Sequence, residues 1–276
     1  MREEVLACLT SLGRHSAGLE LQVIYVDNGS GDGSADAVAA AYPETEIVRL
    51  ATNEGVPARN YGLRRARGRH RMFLDSDAKV TPGALQTLVD VLDTHPRVGL
   101  AGPRLSYPDG GLQLSTRRYP PLLLPLLRRP PLARLFENGS TVRRHLMSDE
   151  RHDRRRRVEY VIGACQMFRA EAQLAAGEID RHIWFGHDDA DWCFTIRRAG
   201  YDVLYVPDAE VVHDYRRSSA SRPFSRLAVR FLKAHFYFQL KWWHARGALV
   251  AEGRTFDQET RSADDQVVTR DERPCP

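Results

Sequence analysis

Apolar residues along this chain fall into two rhythms that take turns. Val5, Leu6, Leu9 and Leu12 recur at helical spacing and Gly13 follows as a stop, which predicts a helix over residues 3–12. Residues 21–26 are a short, mostly apolar run, read as a buried strand. It ends in residues 27–34, eight positions without one apolar side chain. The pattern then repeats: a helix over 35–41, a strand over 47–50, an arginine-rich helix over 55–66, a strand over 71–74, an amphipathic helix over 82–92 and a strand over 98–101. Strands alternating with helices predict an α/β domain built on a parallel, doubly wound sheet. Such sheets bind ligands beyond the carboxyl ends of their strands.

The second half changes character. Residues 108–111, Pro-Asp-Gly-Gly, predict a hairpin. Residues 119–127 are apolar and broken by prolines, so no regular helix runs through them. That stretch, beside Arg128 and Arg129, reads either as a loop packed on the domain or as one resting on a membrane or a lipid-linked molecule. Strands are expected over 158–162 and 166–168, with the small residues Gly163, Ala164 and Cys165 between them allowing close approach to the backbone. Two short strands are expected over 203–206 and 210–212. A helix over 224–243 mixes basic residues with Phe and Trp, which suits either docking on the domain or lying at an interface. Residues 251–276 read as a disordered polar tail.

Three clusters carry candidate chemistry. The strand over 71–74 opens onto Asp75, Ser76 and Asp77. In an extended chain, residues i and i+2 point the same way, so both carboxylates face one ion; if the chain turns there, one of them faces elsewhere. Hard oxygen ligands at a strand end suit Mg²⁺ or Mn²⁺ held with a diphosphate, although an Asp before a helix is also a common cap. Residues 184–193 place Asp188, Asp189 and Asp191 at a helix start among Trp184, Phe185 and Trp192. One acidic residue there serves the helix dipole; three exceed that need. A carboxylate in an aromatic pocket gains a raised pKa and can act as a general base. Third, His213 ends the strand over 210–212, either as a structural residue or as a ligand for metal or phosphate.

Composition narrows the partners. The net charge is +4, and arginines cluster over 64–71 and 151–157, the latter interrupted by acids and so read as a solvated face. No zinc-finger spacing or aromatic-interleaved RNA motif occurs, so nucleic acid is not an expected partner. The four cysteines form no C-x-x-C pair and predict reduced thiols in a cytoplasmic setting. No apolar run is long enough to span a bilayer.

Taken together, certain residues resemble family 2 glycosyltransferases. They are Val26-Asp27-Asn28-Gly29-Ser30-Gly31-Asp32-Gly33-Ser34, Asn53-x-Gly55-x-x-Ala58-Arg59-Asn60-x-Gly62-Leu63, Phe73-Leu74-Asp75-Ser76-Asp77, Gly163-Ala164, Asp188-Asp189-x-Asp191 and Val212-His213. The set, in this order and spacing, is similar to the rhamnosyltransferase-like branch and covers roughly residues 1–215. The resemblance implies a GT-A fold, a Rossmann-like and mostly parallel sheet with helices on both faces. It implies one domain whose nucleotide-sugar half spans 1–117 and whose acceptor half spans 118–215, followed by an amphipathic segment over 216–250. Members begin with a hydrophobic strand, whereas here Met1 leads straight into the first helix, so a sheet lacking the usual first strand is expected.

The resemblance also implies a reaction: inverting transfer of a sugar from a dTDP- or UDP-sugar to a glycan or lipid-linked acceptor, with Mg²⁺ or Mn²⁺; the branch points to rhamnose, with galactose, glucose and mannose as alternatives. By the same resemblance Asp27, Asn28, Ser30, Asn53, Arg59, Asn60, Asp75 and Ser76 bind the nucleotide sugar, and Asp75, Asp77 and His213 hold the metal. Asp189 is the base, and Asp188, Asp191, Trp184, Gly163 and Ala164 line the acceptor side. The expected place of work is the inner face of the cell membrane, in cell-wall polysaccharide synthesis. A non-catalytic sugar-nucleotide-binding or partner protein is the alternative; a glycoside hydrolase ranks last, because paired carboxylates alone leave the 27–34 loop and the arginines unexplained.

Overall fold

The computed structural model describes residues 1–16, 18–127, 136, 139–214 and 225–245. The expected tail over 251–276 lies outside the described residues, as do Arg128 and Arg129. The first compact unit is Met1–Phe238 and the second Gln239–Pro276.

Helix α1 (Arg2–His15) leads to strand β1 (Ile24–Asp27), helix α2 (Ser34–Ala41) and strand β2 (Glu46–Arg49). A 3₁₀ turn over Val56–Ala58 runs into the short α3 (Arg59–Leu63). The single helix expected over 55–66 is therefore two pieces. Gly55, at φ +74°, and Pro57 together prevent one continuous helix from starting there. Strand β3 (His70–Leu74) is followed by β4 (Ala78–Val80), α4 (Ala84–Thr94) and the long β5 (Val98–Ser106). The hairpin expected over 108–111 returns as β6 (Leu112–Gln113), then β7 (Thr116–Arg117). Next come α5 (Leu124–Leu127), α6 (Ser140–Leu146), β8 (Arg156–Arg157), β9 (Tyr160–Val161), β10 (Cys165–Arg169) and α7 (Ala170–Ala176). Helix α8 (Asp188–Arg198), strand β11 (Asp202–His213) and helix α9 (Arg226–Lys241) complete the order.

The expected mostly parallel sheet is a mixed one. The main sheet runs β3-β10-β5-β11-β4, with β6 added to β5 and β8 to β11. Only β5 and β11 pair in parallel there; β3 with β10, β10 with β5 and β4 with β11 are antiparallel. Parallel neighbours need a crossover of a dozen or more residues. The chain makes that crossover between β1 and β2 through α2, whereas most main-sheet neighbours meet after an odd number of reversals. Strands β1 and β2 pair with each other as a separate two-stranded sheet. Among the described residues no strand joins β1 to β3.

The two short strands expected over 203–206 and 210–212 are one, β11. Pro207, Asp208 and Ala209 read as a break, but they form an irregularity between Val206 and Glu210 where the register with β5 shifts. A bulge absorbs the missing N–H of a proline without ending a strand.

Both faces of the sheet are covered, as period-2 alternation requires. Cys165 and Met167 of β10 face the cluster made by α1 and α4, where Leu85, Leu88 and Leu92 are at most 1% exposed. Each such leucine contributes about 1.5–3 kcal/mol by leaving water. Phe168 faces the other way, against Phe73 and Trp192 at ring-centroid distances of 4.9 and 5.5 Å. That second layer is α8, and it anchors the helix whose first turn carries the acidic cluster. Among the described residues, Cys8, Cys165 and Cys193 are buried and free.

Candidate active site

The acidic pair after β3 settles the question left by the sequence. The chain turns: Ala78 N–H donates to Asp75 O at 3.0 Å. The turn sends β4 back against β11, and His213 ends opposite Ala78. One ligand atom each from Asp75, Asp77 and His213 then lie within 4.8 Å of one another. Two carboxylate oxygens and one imidazole nitrogen form a donor set that suits Mn²⁺ or Mg²⁺. The buried His213 ring is fixed. Its Nδ1 lies 2.7 Å from the Oε1 of Gln113, a carbonyl that only accepts, so Nδ1 carries the proton. Its Nε2 lies 3.4 Å from Asp77 Oδ1.

Arg59 sits at the centre of the crevice. Its Nη2 donates to Asp75 Oδ1 at 2.5 Å and to the Gly163 carbonyl at 3.2 Å, and its Nη1 is 4.0 Å from Asp188 Oδ2. A Cβ at Gly163 would lie 3.1 Å from Nη1, so the glycine leaves room for the guanidinium. The neighbouring Ala164 carbonyl accepts from Asp75 N–H at 2.9 Å, which ties the turn after β3 to the residue preceding β10. Arg59 thus links the Asp75 side to the Asp188 side.

On the far side, Asp188 and Asp189 open α8. The tight path into the helix is made by Gly186 and His187, both at positive φ (+81° and +62°). Burial raises the Asp188 carboxyl above its ordinary pKa, with Arg59 opposing. Burial, together with the charge of Asp188, pushes Asp189 up to about 7, while Arg117 and Arg59 pull the other way. Asp189 Oδ1 accepts the Ala190 N–H at 2.8 Å. A carboxyl held near neutrality is the condition a general base needs. Asp191 is buried one turn further into the helix.

The remaining expected residues divide into lining and framework. Asp27 is 6% exposed at the end of β1, and its Oδ1 accepts the Ser30 N–H at 3.0 Å, which shapes the 27–34 loop. Asn28 accepts from Glu54 N–H at 2.8 Å and donates to the Gly55 carbonyl at 2.9 Å and to Asn53 Oδ1 at 3.3 Å. It staples two loops together. Asn60 is 1% exposed, and both its amide atoms engage the backbone of Ile179, at 2.8 and 2.9 Å. That amide is turned inward rather than presented to the crevice. Ser76 lies in the turn between Asp75 and Asp77. Trp184 covers Gly55: its carbonyl accepts Val56 N–H at 3.0 Å, and a Cβ on Gly55 would come within 2.2 Å of that oxygen. The guanidinium of Arg230 in α9 lies 3.4 Å from the centre of the Trp184 ring.

Sequence reasoning missed several neighbours. Gln113 lies one hundred positions from His213 and belongs to no motif. Arg117 acts on Asp189 from β7. His187, directly before the acidic pair, sits with its Nε2 3.1 Å from Nδ1 of the fully buried His235. His235 Nε2 faces the Leu122 carbonyl at 2.9 Å and therefore carries a proton. The proline-rich loop, α9 and the start of α8 are joined through these two rings. The aromatic density of α9 was visible in the sequence, but its target was not.

Comparison with known proteins places this geometry. Residues 2–173 match the family model of Glycosyl transferase family 2. The N-acetylglucosaminyl-diphospho-decaprenol L-rhamnosyltransferase of Mycobacterium tuberculosis is 26% identical over 248 residues, covering 82% of this chain and 78% of that protein. The crystal structure of GalNAc-T7 with UDP, GalNAc and Mn²⁺ superposes with a TM-score of 0.65 at 16% identity, over 88% of this chain and 46% of that one. The mannosyltransferase PcManGT from Pyrobaculum calidifontis, in complex with GDP-Man and Mn²⁺, gives 0.52 at 19% identity, over 92% and 76%. The match spans well over half of the residues and the architecture agrees, so the chain belongs to glycosyl transferase family 2 and has the GT-A fold.

Proposed function

We propose that this protein is an inverting, metal-dependent glycosyltransferase that moves a sugar from a nucleoside diphosphate donor to a hydroxyl of a lipid-linked or cell-wall glycan. The observation that carries this reading is the two-sided crevice, with Asp75, Asp77 and His213 on one side of Arg59 and the raised carboxyl of Asp189 on the other. Asp75, Asp77 and His213 are the residues that hold Mg²⁺ or Mn²⁺ in this reading, and the cation, when bound, neutralises charge on the departing diphosphate. Arg59 adds a second positive group beside it. Asp189 removes the proton of the acceptor hydroxyl as that oxygen attacks the sugar from the face opposite the diphosphate. Asp188 and Asp191 orient the acceptor, and Trp184 forms a wall of its subsite. Asp27, Ser30 and the Asn28–Asn53 pair frame the nucleoside. A dTDP-rhamnose donor is favoured by the likeness to a protein named as a decaprenol-linked L-rhamnosyltransferase.

Calorimetric titration of the full chain with UDP, dTDP and GDP, with and without Mn²⁺, tests this directly. One diphosphate is expected to bind only with Mn²⁺, and dTDP is the one that fits a rhamnosyl donor. A folded sample that binds none of the three with Mn²⁺ present contradicts the reading.

The same reading places the protein at the cytoplasmic face of the membrane. No described helix is long and apolar enough to cross one. Helix α9 contains no Asp or Glu, and Arg226, Val229, Arg230, Lys233 and Phe236 are all on its exposed side. Leu123 is 60% and Phe236 49% exposed, and the bond from His235 to Leu122 brings their two segments together. A cationic, apolar face suits an anionic lipid surface. Each cation near such a surface contributes about 1 kcal/mol, so Arg226→Glu with Lys233→Glu is expected to lower binding to phosphatidylglycerol vesicles by at least about tenfold. Co-sedimentation measures it; equal partitioning of variant and parent contradicts the placement.

A further inference from the structure

The hairpin at residues 108–111 has no part in the site as described so far, yet its return strand reaches the site. Strand β6 is only two residues long, and Gln113 is one of them, paired across from Leu105 of β5. Gln113 is 4% exposed, and so is His213. The Gln113 Oε1 accepts from His213 Nδ1 at 2.7 Å. The other end of the same amide, Nε2, is buried and has no hydrogen-bond partner. A side chain kept for packing alone would not place a polar group there, because a buried N–H without an acceptor is a standing penalty. The amide is therefore held for its oxygen.

That oxygen decides which nitrogen of His213 can act as a ligand. A neutral imidazole has one N–H and one lone pair. With Nδ1–H committed to Gln113, the lone pair is on Nε2, the nitrogen that faces Asp77. Were the proton on Nε2, the ring would donate toward Asp77 and offer no lone pair on that side. Outer hydrogen-bond partners of metal-binding histidines fix both the tautomer and the ring orientation.

We propose that Gln113 is a positioning residue for a divalent cation at Asp75, Asp77 and His213, acting by holding His213 in the Nδ1–H tautomer. This rests on the metal-dependent reading above and adds a residue that no motif marks. It also gives the β5–β6 hairpin a purpose: it delivers one amide oxygen to the end of β11.

The test is Mn²⁺ affinity of the full chain, read by electron paramagnetic resonance of free Mn²⁺, without substrate turnover. Gln113→Met keeps the length and volume of the side chain but cannot accept from Nδ1. Gln113→Glu keeps an accepting oxygen. The expected result is a Kd raised about 10- to 100-fold in Q113M, restored to within about threefold of the parent in Q113E, with metal-free melting temperatures of all three proteins within a few degrees of one another. An unchanged Kd in Q113M, while the parent binds, overturns the assignment alone. A Q113E variant as weak as Q113M overturns it too, because the accepting oxygen would then not be what matters. Failure of the folded parent to bind Mn²⁺ overturns the metal reading and this assignment with it.

Discussion

Asp189→Asn is expected to lower the rate of sugar transfer by about 10²- to 10⁴-fold, the usual worth of a positioned general base, and to leave Mn²⁺-dependent diphosphate binding intact. The two readouts separate chemistry from donor binding, because Asp189 adjoins Asp188, which meets a different guanidinium nitrogen of Arg59 than Asp75 does. A variant that turns over at the parent rate removes Asp189 from the mechanism. The pH dependence sharpens the expectation. The base works only when ionised, so kcat/KM rises with pH through about 7 in the parent. Asp188→Asn removes the like charge that helps hold Asp189 high, so that midpoint moves down. The sign for stability is opposite. A carboxyl whose folded pKa is raised favours folding while protonated, fully so below its ordinary value of 3.8, and loses that contribution as pH rises through about 7. Asp189→Asn abolishes the loss. Its melting temperature relative to the parent therefore climbs between pH 4 and pH 8, and a flat difference would contradict the raised carboxyl.

Asp77→Asn is expected to raise the Kd for Mn²⁺ by about 100-fold or more and to remove the metal-dependent part of diphosphate binding, since one of the three proposed ligands would lose its charge. Asp77 is the better choice than Asp75. Substituting Asp75 also deprives Arg59 of its partner at 2.5 Å and would confound metal loss with an unbalanced guanidinium. The Asp77 side chain is 29% exposed and lies on a turn, so the fold tolerates the change. Calorimetry with Mn²⁺ alone, then with the diphosphate, gives the answer. Parent-like Mn²⁺ affinity in the variant rules this acidic pair out as the cation site.

Much of this site could be read before any coordinates. The 27–34 loop, the Asp75–Asp77 pair and the Asp188–Asp191 cluster are polar runs set against apolar rhythm, and polarity at a strand or helix end is a local signal. Alternation of strands and helices predicts the 27–34 loop and the Asp75–Asp77 pair at one edge; it does not show that Arg59 would bring Asp188 beside Asp75. What could not be read is where side chains turn once backbone groups compete for them. Asn28 and Asn60 stand in the expected motifs, but their amides are taken by Glu54, Gly55 and Ile179, because loops need partners for their own N–H and C=O groups. The polarity of the main sheet was hidden as well, because periodicity shows that a strand exists but not which neighbour it meets. Gln113 was invisible for a related reason. Its meaning depends on His213 one hundred residues away, and the two meet only because β5 has β6 on one side and β11 on the other.

The division of the strands has a mechanical consequence. Asp75, Asp77 and His213 are carried by β3, β4 and β11, whose ladders belong to one continuous hydrogen-bonded lattice. The 27–34 loop is carried by β1, whose ladder ends with β2. Among the described residues the small sheet is tied to the large one through side chains and loops, as where Gln22 bonds the backbone of Arg65 and Arg67. Such a ligature gives way more readily than a shared ladder, so the 27–34 loop is the part of this site with fewer backbone ties to the main sheet. In the proposed reading, the residues that would hold charge share that lattice, and the loop that would frame the nucleoside stands outside it. If the loop does frame a nucleotide, as proposed, it could shift for entry or release without disturbing the spacing of Asp75, Asp77 and His213.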